Sequence, residues 1–252
     1  MGNQQILALV LFTGGKDSFL TACKEVSLGK HVTLLSFANG STLCSECFGY
    51  GANRLIKKFG DDKIEFAGIY NTGGIVRAYN RGQQRIPHQE FIERYSTVTW
   101  QQLSCLHCQT AMWLAAMAYA RVHGMSEISC GYRETDNSCT GFAEYTDAIA
   151  RVASKSGLLV HLPMWSVFDE FQRDVQMELF GFEPAIQKPR CALKYAQDIK
   201  MSEQEIDNLL SYFSDVIEPE APRLVDELIG VFQSINLTTE ACEKAEPIIY
   251  DE

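Results

Sequence analysis

Short apolar runs alternate with amphipathic segments along the first two thirds of the chain. The first run, 6–12, is apolar at every position, which is typical of a strand covered on both faces of a parallel sheet. The runs predict strands at 6–12, 31–37, 63–70, 127–130 and 158–162. Helical periodicity, ended in most cases by glycine, predicts helices over 18–28, 52–59, 110–123 and 142–154. This alternation predicts an α/β fold, doubly wound, with a mainly parallel five-stranded sheet.

The pattern changes after Pro163, where it becomes helical. Residues 201–252 are acidic and carry Ile, Leu and Phe at helical spacing. We therefore divide the chain into a main domain over 1–200 and a helical C-terminal appendage over 201–252. The appendage is interpreted as a cap or a dimerisation surface, so that a homodimer is one interpretation.

Composition and charge narrow the function classes. Apolar residues make up 46% of the 252 residues, which is enough for a full core and argues against global disorder. The net charge of -10 disfavours a large surface for binding nucleic acid, since phosphate contacts depend on Lys and Arg. No apolar run approaches the roughly 18 residues of a membrane span, and the first residues lack a basic signal-peptide region. We expect a cytoplasmic protein with reduced thiols and no membrane partner.

A glycine-rich turn follows the first predicted strand: Thr13-Gly14-Gly15-Lys16-Asp17-Ser18. Two glycines before a helix start allow backbone N–H groups to surround an anion at the positive end of the helix. Hydroxyl groups and a lysine add donors and charge. An aspartate beside a phosphate is consistent with a Mg²⁺ ion between them. The spacing differs from a Walker A loop and from the dinucleotide fingerprint.

This turn resembles the Ser-Gly-Gly-x-Asp-Ser signature of the PP-loop, or N-type, ATP pyrophosphatases, with Thr13 in place of the first serine. The resemblance implies an adenine nucleotide alpha hydrolase-like fold, bound ATP and Mg²⁺, and cleavage between the α and β phosphates with transfer of AMP. It implies that Gly14, Gly15, Asp17 and Ser18 hold the pyrophosphate. It also implies a catalytic role for Lys16 and Asp17, and an adenine site framed by the backbone at Ser36 and Phe37.

A second motif follows the predicted strand at 127–130 and runs from Gly131 to Asp136. Relatives carry Gly-x-x-x-x-Asp here, facing nucleotide and substrate. The surrounding pattern most resembles 7-cyano-7-deazaguanine synthase over roughly residues 5–195. The resemblance implies that Gly131 and a catalytic Asp136 belong to the site. The alternative is that Asp136 caps the next helix.

The cysteines depart from that synthase, whose C-terminal zinc site needs four cysteines, whereas only Cys191 and Cys242 follow residue 190. Three interpretations stay open. First, Cys105, Cys108 and Cys191 resemble the three ligands of the [4Fe–4S] cluster in the iron–sulfur tRNA thiolases. Second, Cys44, Cys47, Cys105 and Cys108 form a Zn²⁺ site, since two Cys-x-x-Cys pairs suit zinc when they converge. Third, the thiols are incidental or simply buried.

Together these motifs predict an enzyme that adenylates a carbonyl or carboxylate oxygen on a nucleobase-like small molecule with release of pyrophosphate, followed by nitrogen or sulfur transfer. One alternative is tRNA thiolation with a three-cysteine cluster, which the acidic composition disfavours. The other is a non-catalytic nucleotide-binding or regulatory module.

Overall fold

Five parallel strands form the central sheet. The computed structural model describes residues 6–39, 42–43, 47–83, 86–136, 138–184, 190–191 and 201–234. The strands of the sheet are β1 (Leu7–Leu11), β2 (His31–Ala38), β4 (Ile64–Asn71), β5 (Glu127–Ser129) and β6 (Leu159–His161), and two further strands, β3 (Thr42–Leu43) and β7 (Arg190–Cys191), pair antiparallel. The order in the sheet is β4-β2-β1-β5-β6, and every pairing in it is parallel. The predicted α/β fold is confirmed.

Helices cover both faces of this sheet. They are α1 (Lys16–Ser27), α2 (Cys47–Phe59), α3 (Gly73–Gln83), α4 (His88–Tyr95), α5 (Trp100–Val122), α6 (Ala143–Lys155), α7 (Glu170–Leu179), α8 (Glu203–Tyr212) and α9 (Ala221–Ser234). Because side chains alternate along a strand, β1 supplies both cores. Leu9 and Leu11 pack with α5 and α6, whereas Val10 and Phe12 pack with α1 and α2.

The chain changes direction across the sheet beside β1. From β1 it winds outward through β2 to β4, and then it returns to the other side of β1 for β5 and β6. In open α/β sheets, ligands bind outside the carboxyl ends of the strands at such a reversal. The reversal therefore places the candidate site where β1 and β5 end.

The long helix α5 begins earlier than its sequence pattern predicted. We predicted a start at Thr110, but the helix starts at Trp100, because Thr99 and Gln102 form a reciprocal capping box. Cys105 and Cys108, which precede the predicted start at Thr110, therefore lie inside the helix. The segment between β4 and α5 contains α3 and α4.

The C-terminal helices pack directly on the main core. α8 continues into a single π-helical turn, Phe213–Ile217, and α9 then lies along α5. Buried Tyr212, Val225 and Phe232 belong to the same apolar cluster as Leu9 of β1. The division at residue 200 stays a prediction, although 201–234 shares its core with the sheet. Within the described ranges, none of the helices combines the length and apolar character needed to traverse a bilayer.

Candidate functional site

The turn after β1 is shaped by its glycines and held by its own hydroxyl groups. Gly14 has a φ of 70°, a left-handed conformation that favours glycine, and the N-cap of α1 is Gly15, which has no side chain to occupy the first turn. Oγ of Ser18 donates to the carbonyl of Gly15 at 3.0 Å and accepts the Thr13 N–H at 3.1 Å. The hydroxyls of Thr13 and Ser18 lie 3.1 Å apart. The turn thus holds its own shape while the start of α1 presents backbone N–H groups.

Gly131, which follows β5, packs against the start of α1. A Cβ atom at this position would lie 2.6 Å from the backbone carbon of Asp17 and 2.8 Å from the backbone nitrogen of Ser18. Only glycine therefore allows the two halves of the site to approach so closely. This contact joins the end of β5 to the turn after β1.

Two arginines converge on Asp17. Arg173 of α7 donates from Nη1 to both carboxylate oxygens, at 3.1 and 3.3 Å. Arg133, in the loop after β5, has its Nε 3.5 Å from Asp17 and its Nη2 2.9 Å from Asp136. Asp17 is thus bridged to two cations that come from different parts of the chain.

Asp136 closes the loop that carries Arg133. Its carboxylate accepts the backbone N–H of Arg133 at 3.1 Å, which fixes a tight turn over 133–136. Burial raises the pKa of Asp136 above its ordinary value and the negative charge of Asp17 adds to this, while Arg133 opposes it. Because Arg133 contacts both carboxylates, Asp17 and Asp136 are neighbours, and both interpretations of Asp136, site residue and loop cap, are compatible with its position.

Lys16 is held by two acids of α7. Its ammonium group lies 2.7 Å from Glu170 Oε1 and 2.6 Å from Asp174 Oδ1. Burial alone would lower the pKa of Lys16, but the hydrogen bonds and charges of Asp174 and Glu170 outweigh this and raise it. Lys16 is therefore a permanent cation, suited to binding anions rather than to abstracting protons.

The predicted adenine-framing residues are deeply placed. Ser36 is fully buried and donates its hydroxyl to the carbonyl of Phe12 at 2.7 Å. The Phe37 side chain packs in the core on the α5 face. Both side chains therefore stabilise the sheet, and only their backbone groups remain for the adenine contact that the resemblance implies.

Several cysteines meet near the carboxyl end of β2. Asn39 donates to Cys108 Sγ at 2.6 Å, and burial raises the pKa of Cys108 to about 12, to which the charges of Cys105 and Cys191 contribute. A hydrogen bond from the Cys139 thiol lowers the pKa of Cys105 despite burial. Of the predicted [4Fe–4S] ligands, Cys105 and Cys108 lie one turn apart in α5, and Cys191 lies in β7.

The metal predictions are not decided by this arrangement. Across the ranges that the structure describes, no set of three or more His, Cys, Asp or Glu side chains is placed to hold a metal ion. Cys47 begins α2, and Cys44, its partner in the predicted zinc site, lies outside the described residues, as does Cys242. Both metal sets stay predictions, and we derive no step through either.

His107, which lies between Cys105 and Cys108 in the sequence, has a different role. Its imidazole is fully buried, with Nδ1 2.7 Å from Asn80 Oδ1 and Nε2 3.0 Å from the Tyr212 hydroxyl. Burial lowers the pKa of His107 to about 4, so the ring is neutral at pH 7. It joins α3, α5 and α8 rather than facing the site.

The charged residues of α7 escaped our sequence analysis. Glu170, Arg173 and Asp174 lie more than 150 positions after the turn that they contact, and α7 carries no motif of its own. A cation between two acids on one helix is the normal appearance of a solvated face. Only the fold, which packs α7 on α1, reveals their position.

A 4-thiouridine synthetase in complex with RNA and with bound ATP superposes with a TM-score of 0.60 over 89% of this chain, at 16% sequence identity. The chain has the fold of that synthetase. It spans 53% of the synthetase chain, so roughly half of that protein has no counterpart here.

A second similar structure is a predicted subunit of a tRNA methyltransferase from Methanocaldococcus jannaschii, with a TM-score of 0.41 and 16% identity over 74% of this chain and 96% of that one. No protein-family model matches the sequence, and neither does any protein of curated function. The likeness to the synthetase therefore establishes the fold and nothing finer.

Proposed function

We propose that this chain binds ATP at the turn after β1, cleaves it between the α and β phosphates, and transfers AMP to a carbonyl or carboxylate oxygen of a nucleobase-like acceptor. The observation that carries the proposal is the contact between Gly131 and the backbone of Asp17. It brings the glycine turn, Lys16 and Arg133 to one point at the reversal of the sheet. Bound ATP in the synthetase of the same fold supports the nucleotide assignment.

The proposed reaction follows from the charges at this point. The acceptor oxygen attacks the α phosphorus, and the bond to the α–β bridging oxygen breaks, so that pyrophosphate leaves with the electron pair. Charge builds on the pyrophosphate, which the N–H groups at the start of α1 and the ammonium of Lys16 stabilise. Asp17 and Asp136 are oxygen donors of the kind that Mg²⁺ prefers, and that ion would neutralise phosphate charge there.

The second half-reaction replaces the activated oxygen. A nitrogen or sulfur nucleophile adds to the carbon of the adenylated acceptor, and AMP departs with the oxygen. This makes the function a ligase or sulfurtransferase activity of the ATP pyrophosphatase type. The first step is common to both outcomes.

Sulfur transfer to RNA is a second candidate, favoured by a specific observation. Cys105 has a lowered pKa and lies beside Cys108 and Cys139 near the end of β2. A thiol that ionises readily is suited to sulfur chemistry. The synthetase with the same fold was solved with RNA, but it also contains a large part that this chain lacks.

The proposal is tested by identifying the products formed from ATP. The purified chain is incubated with ATP and Mg²⁺ alone, with a free carboxylated deazaguanine and ammonia, or with unmodified tRNA and sulfide. We expect AMP and pyrophosphate in one of the two acceptor reactions. ADP and phosphate, or unchanged ATP under all conditions, would contradict it.

Substitution of Asp17 by alanine should abolish pyrophosphate release, by at least about 100-fold, because it removes a carboxylate from the phosphate site. The matched control is Asp226→Ala. It removes an equally charged group of the distant helix α9, where Asp226 pairs with Arg121 of α5. The control should react like the unmodified chain. Equal activity of the Asp17 and Asp226 variants would exclude the turn as the site.

A further inference from the structure

The helix α7 brings both an arginine and two acids to the glycine-rich turn after β1. Arg173 pairs with Asp17, while Glu170 and Asp174 pair with Lys16. These side chains come from consecutive turns of one helix, and Arg173 also donates from Nη2 to Glu170 Oε2 at 2.9 Å. Every charged group that the turn offers to a phosphate already has a partner of opposite charge.

We propose that α7 is an exchange lid for the nucleotide. In the structure, Glu170 and Asp174 occupy Lys16 as internal substitutes for phosphate oxygens. When ATP binds, Lys16 exchanges these acids for the β and γ phosphates, and Arg173 exchanges Asp17 for the same phosphates. This inference rests on the proposed function. It adds two acids, Glu170 and Asp174, that compete with ATP for Lys16, and one arginine, Arg173, that binds the phosphates. None of the three belongs to the turn motif.

The number of N–H donors on Lys16 favours an exchange of its acidic partners for phosphates over the simple addition of phosphates to them. Lys16 has three N–H donors and already gives two of them to carboxylates at 2.6 and 2.7 Å. ATP brings several negative charges to the same place, and two fixed carboxylates beside them would repel it. The acids must therefore move away or lose their contact with Lys16 before phosphates occupy it.

Arg173 is equipped to follow the phosphates. It is 13% exposed, and its Nε has no hydrogen-bond partner in the part of the chain that the structure describes. Its Nη1 contacts to Asp17, at 3.1 and 3.3 Å, are long for charge-assisted bonds. Planar guanidinium groups bind phosphate oxygens through two parallel donors, and Arg173 would present such a pair once Asp17 and Glu170, which its Nη1 and Nη2 contact, were exchanged for ATP.

The packing of α7 leaves room for such movement. Its inner face contributes buried Met177 to the core with α1, but its outer face exposes Phe171 and Leu179 to solvent, at 75% and 80%. A helix attached along one face breaks fewer apolar contacts when it shifts than one buried all round.

The affinities of two variants for three ligands test this exchange. Isothermal titration in Mg²⁺ compares ATP, pyrophosphate and AMP. We expect Glu170→Gln combined with Asp174→Asn to bind ATP about fivefold tighter, because the competitor for Lys16 is gone. Arg173→Gln should bind ATP and pyrophosphate at least about tenfold more weakly, with AMP changed less than twofold, since AMP lacks the β and γ phosphates.

Matched controls separate local from general charge effects. The first control combines Glu220→Gln with Glu227→Gln and removes the two acids that pair with the exposed Arg223. The second control, Arg121→Gln, removes an arginine of α5 that pairs with Asp226 of α9. Neither control should change ATP affinity. Arg173→Lys, with thermal unfolding measured alongside, keeps the cation and should recover part of the affinity if the variant folds.

The results distinguish this inference from the proposed function. If the unmodified chain binds ATP but neutralising Glu170 and Asp174 weakens binding or leaves it unchanged, the exchange is wrong while the nucleotide site stands. Weakened binding that appears only with Mg²⁺ would make these acids metal ligands, and it too overturns the exchange. If the unmodified chain binds no ATP, the proposed function and the inference fall together.

Discussion

At Gly131, a single hydrogen atom in place of a side chain sets how closely the two halves of the site approach. Alanine there would push its Cβ against the backbone of Asp17 at 2.6 Å. We expect Gly131→Ala to lower the free energy of unfolding by about 1–3 kcal/mol and to abolish ATP binding, because neither backbone can give way cheaply. Chemical denaturation and titration with ATP measure the two effects.

Gly230 supplies the contrasting glycine. It is exposed within α9, and a Cβ atom there would meet nothing within 4 Å. Gly230→Ala should therefore stabilise the chain by about 0.5–1 kcal/mol through helix propensity and leave ATP binding unchanged. If both alanine variants behave alike, the close approach at Gly131 is not what positions the turn.

His107 gives the chain a dependence on pH that is separate from the site. Burial lowers its pKa to about 4. Between pH 6.5 and about 4, His107 therefore binds a proton in the unfolded chain but not in the folded chain. Stability should therefore fall by about 3 kcal/mol from this residue as the pH drops through that window. Urea unfolding at pH 7, 5.5 and 4 tests this, with His107→Gln as the comparison.

The substituted chain should be less stable at pH 7, since it loses the bonds to Asn80 and Tyr212. Its stability should nevertheless change less between pH 6.5 and 4 than that of the unmodified chain. An equal change in both would assign the acid sensitivity to other groups.

At the scale of elements, Thr99 decides where α5 begins. Its hydroxyl accepts a hydrogen bond from the backbone N–H of Gln102. In turn, the side-chain Oε1 of Gln102 accepts one from the backbone N–H of Thr99 at 2.7 Å. Thr99→Ala should cost about 1 kcal/mol of stability, whereas Thr99→Ser should keep most of it because the hydroxyl remains. Thermal unfolding of both variants measures the cap, and equal losses would show that the methyl packing matters instead.

The same cap explains where prediction from sequence succeeded and where it failed. The strands were predictable because β1 and β2 are mostly apolar and buried on both faces. The ends of several helices were predictable because glycines follow them. The start of α5 was not, since its polar first turns, 100–109, hide the helical period that only appears from Thr110 onward. The assignment of the turn after β1 and of Gly131 to one site came from the resemblance of their motifs to the PP-loop enzymes, and it stays a prediction.

The contributions of α7 could not be predicted in this way. Arg173 reaches Asp17 because α7 packs on α1, and nothing in the sequence near residue 173 specifies that neighbour. A tertiary contact across 156 positions depends on the winding order of the sheet rather than on any local pattern.

For the whole molecule, the core unites the sheet with the C-terminal helices. Tyr212, Ile217 and Val225 are fully buried in the cluster that contains Leu9 of the central strand. Removing 201–252 would expose this surface, so the shortened chain should fail to unfold cooperatively. Circular dichroism during heating checks this, and a sharp transition would instead support an independent domain over 1–200.

The pairing of β1 with β5 has a consequence for how the chain is made. Val10 lies beside Ser129 in the sheet, 119 positions later (129 minus 10), so this register closes a very long loop. Such non-local pairings form slowly, because the entropy of closure is lost before the contacts compensate for it. The two strands that carry the glycine turn and Gly131 therefore meet late in synthesis and folding. A ligand that binds across β1 and β5 would chiefly slow unfolding, because it would hold together two strands that pair late in folding.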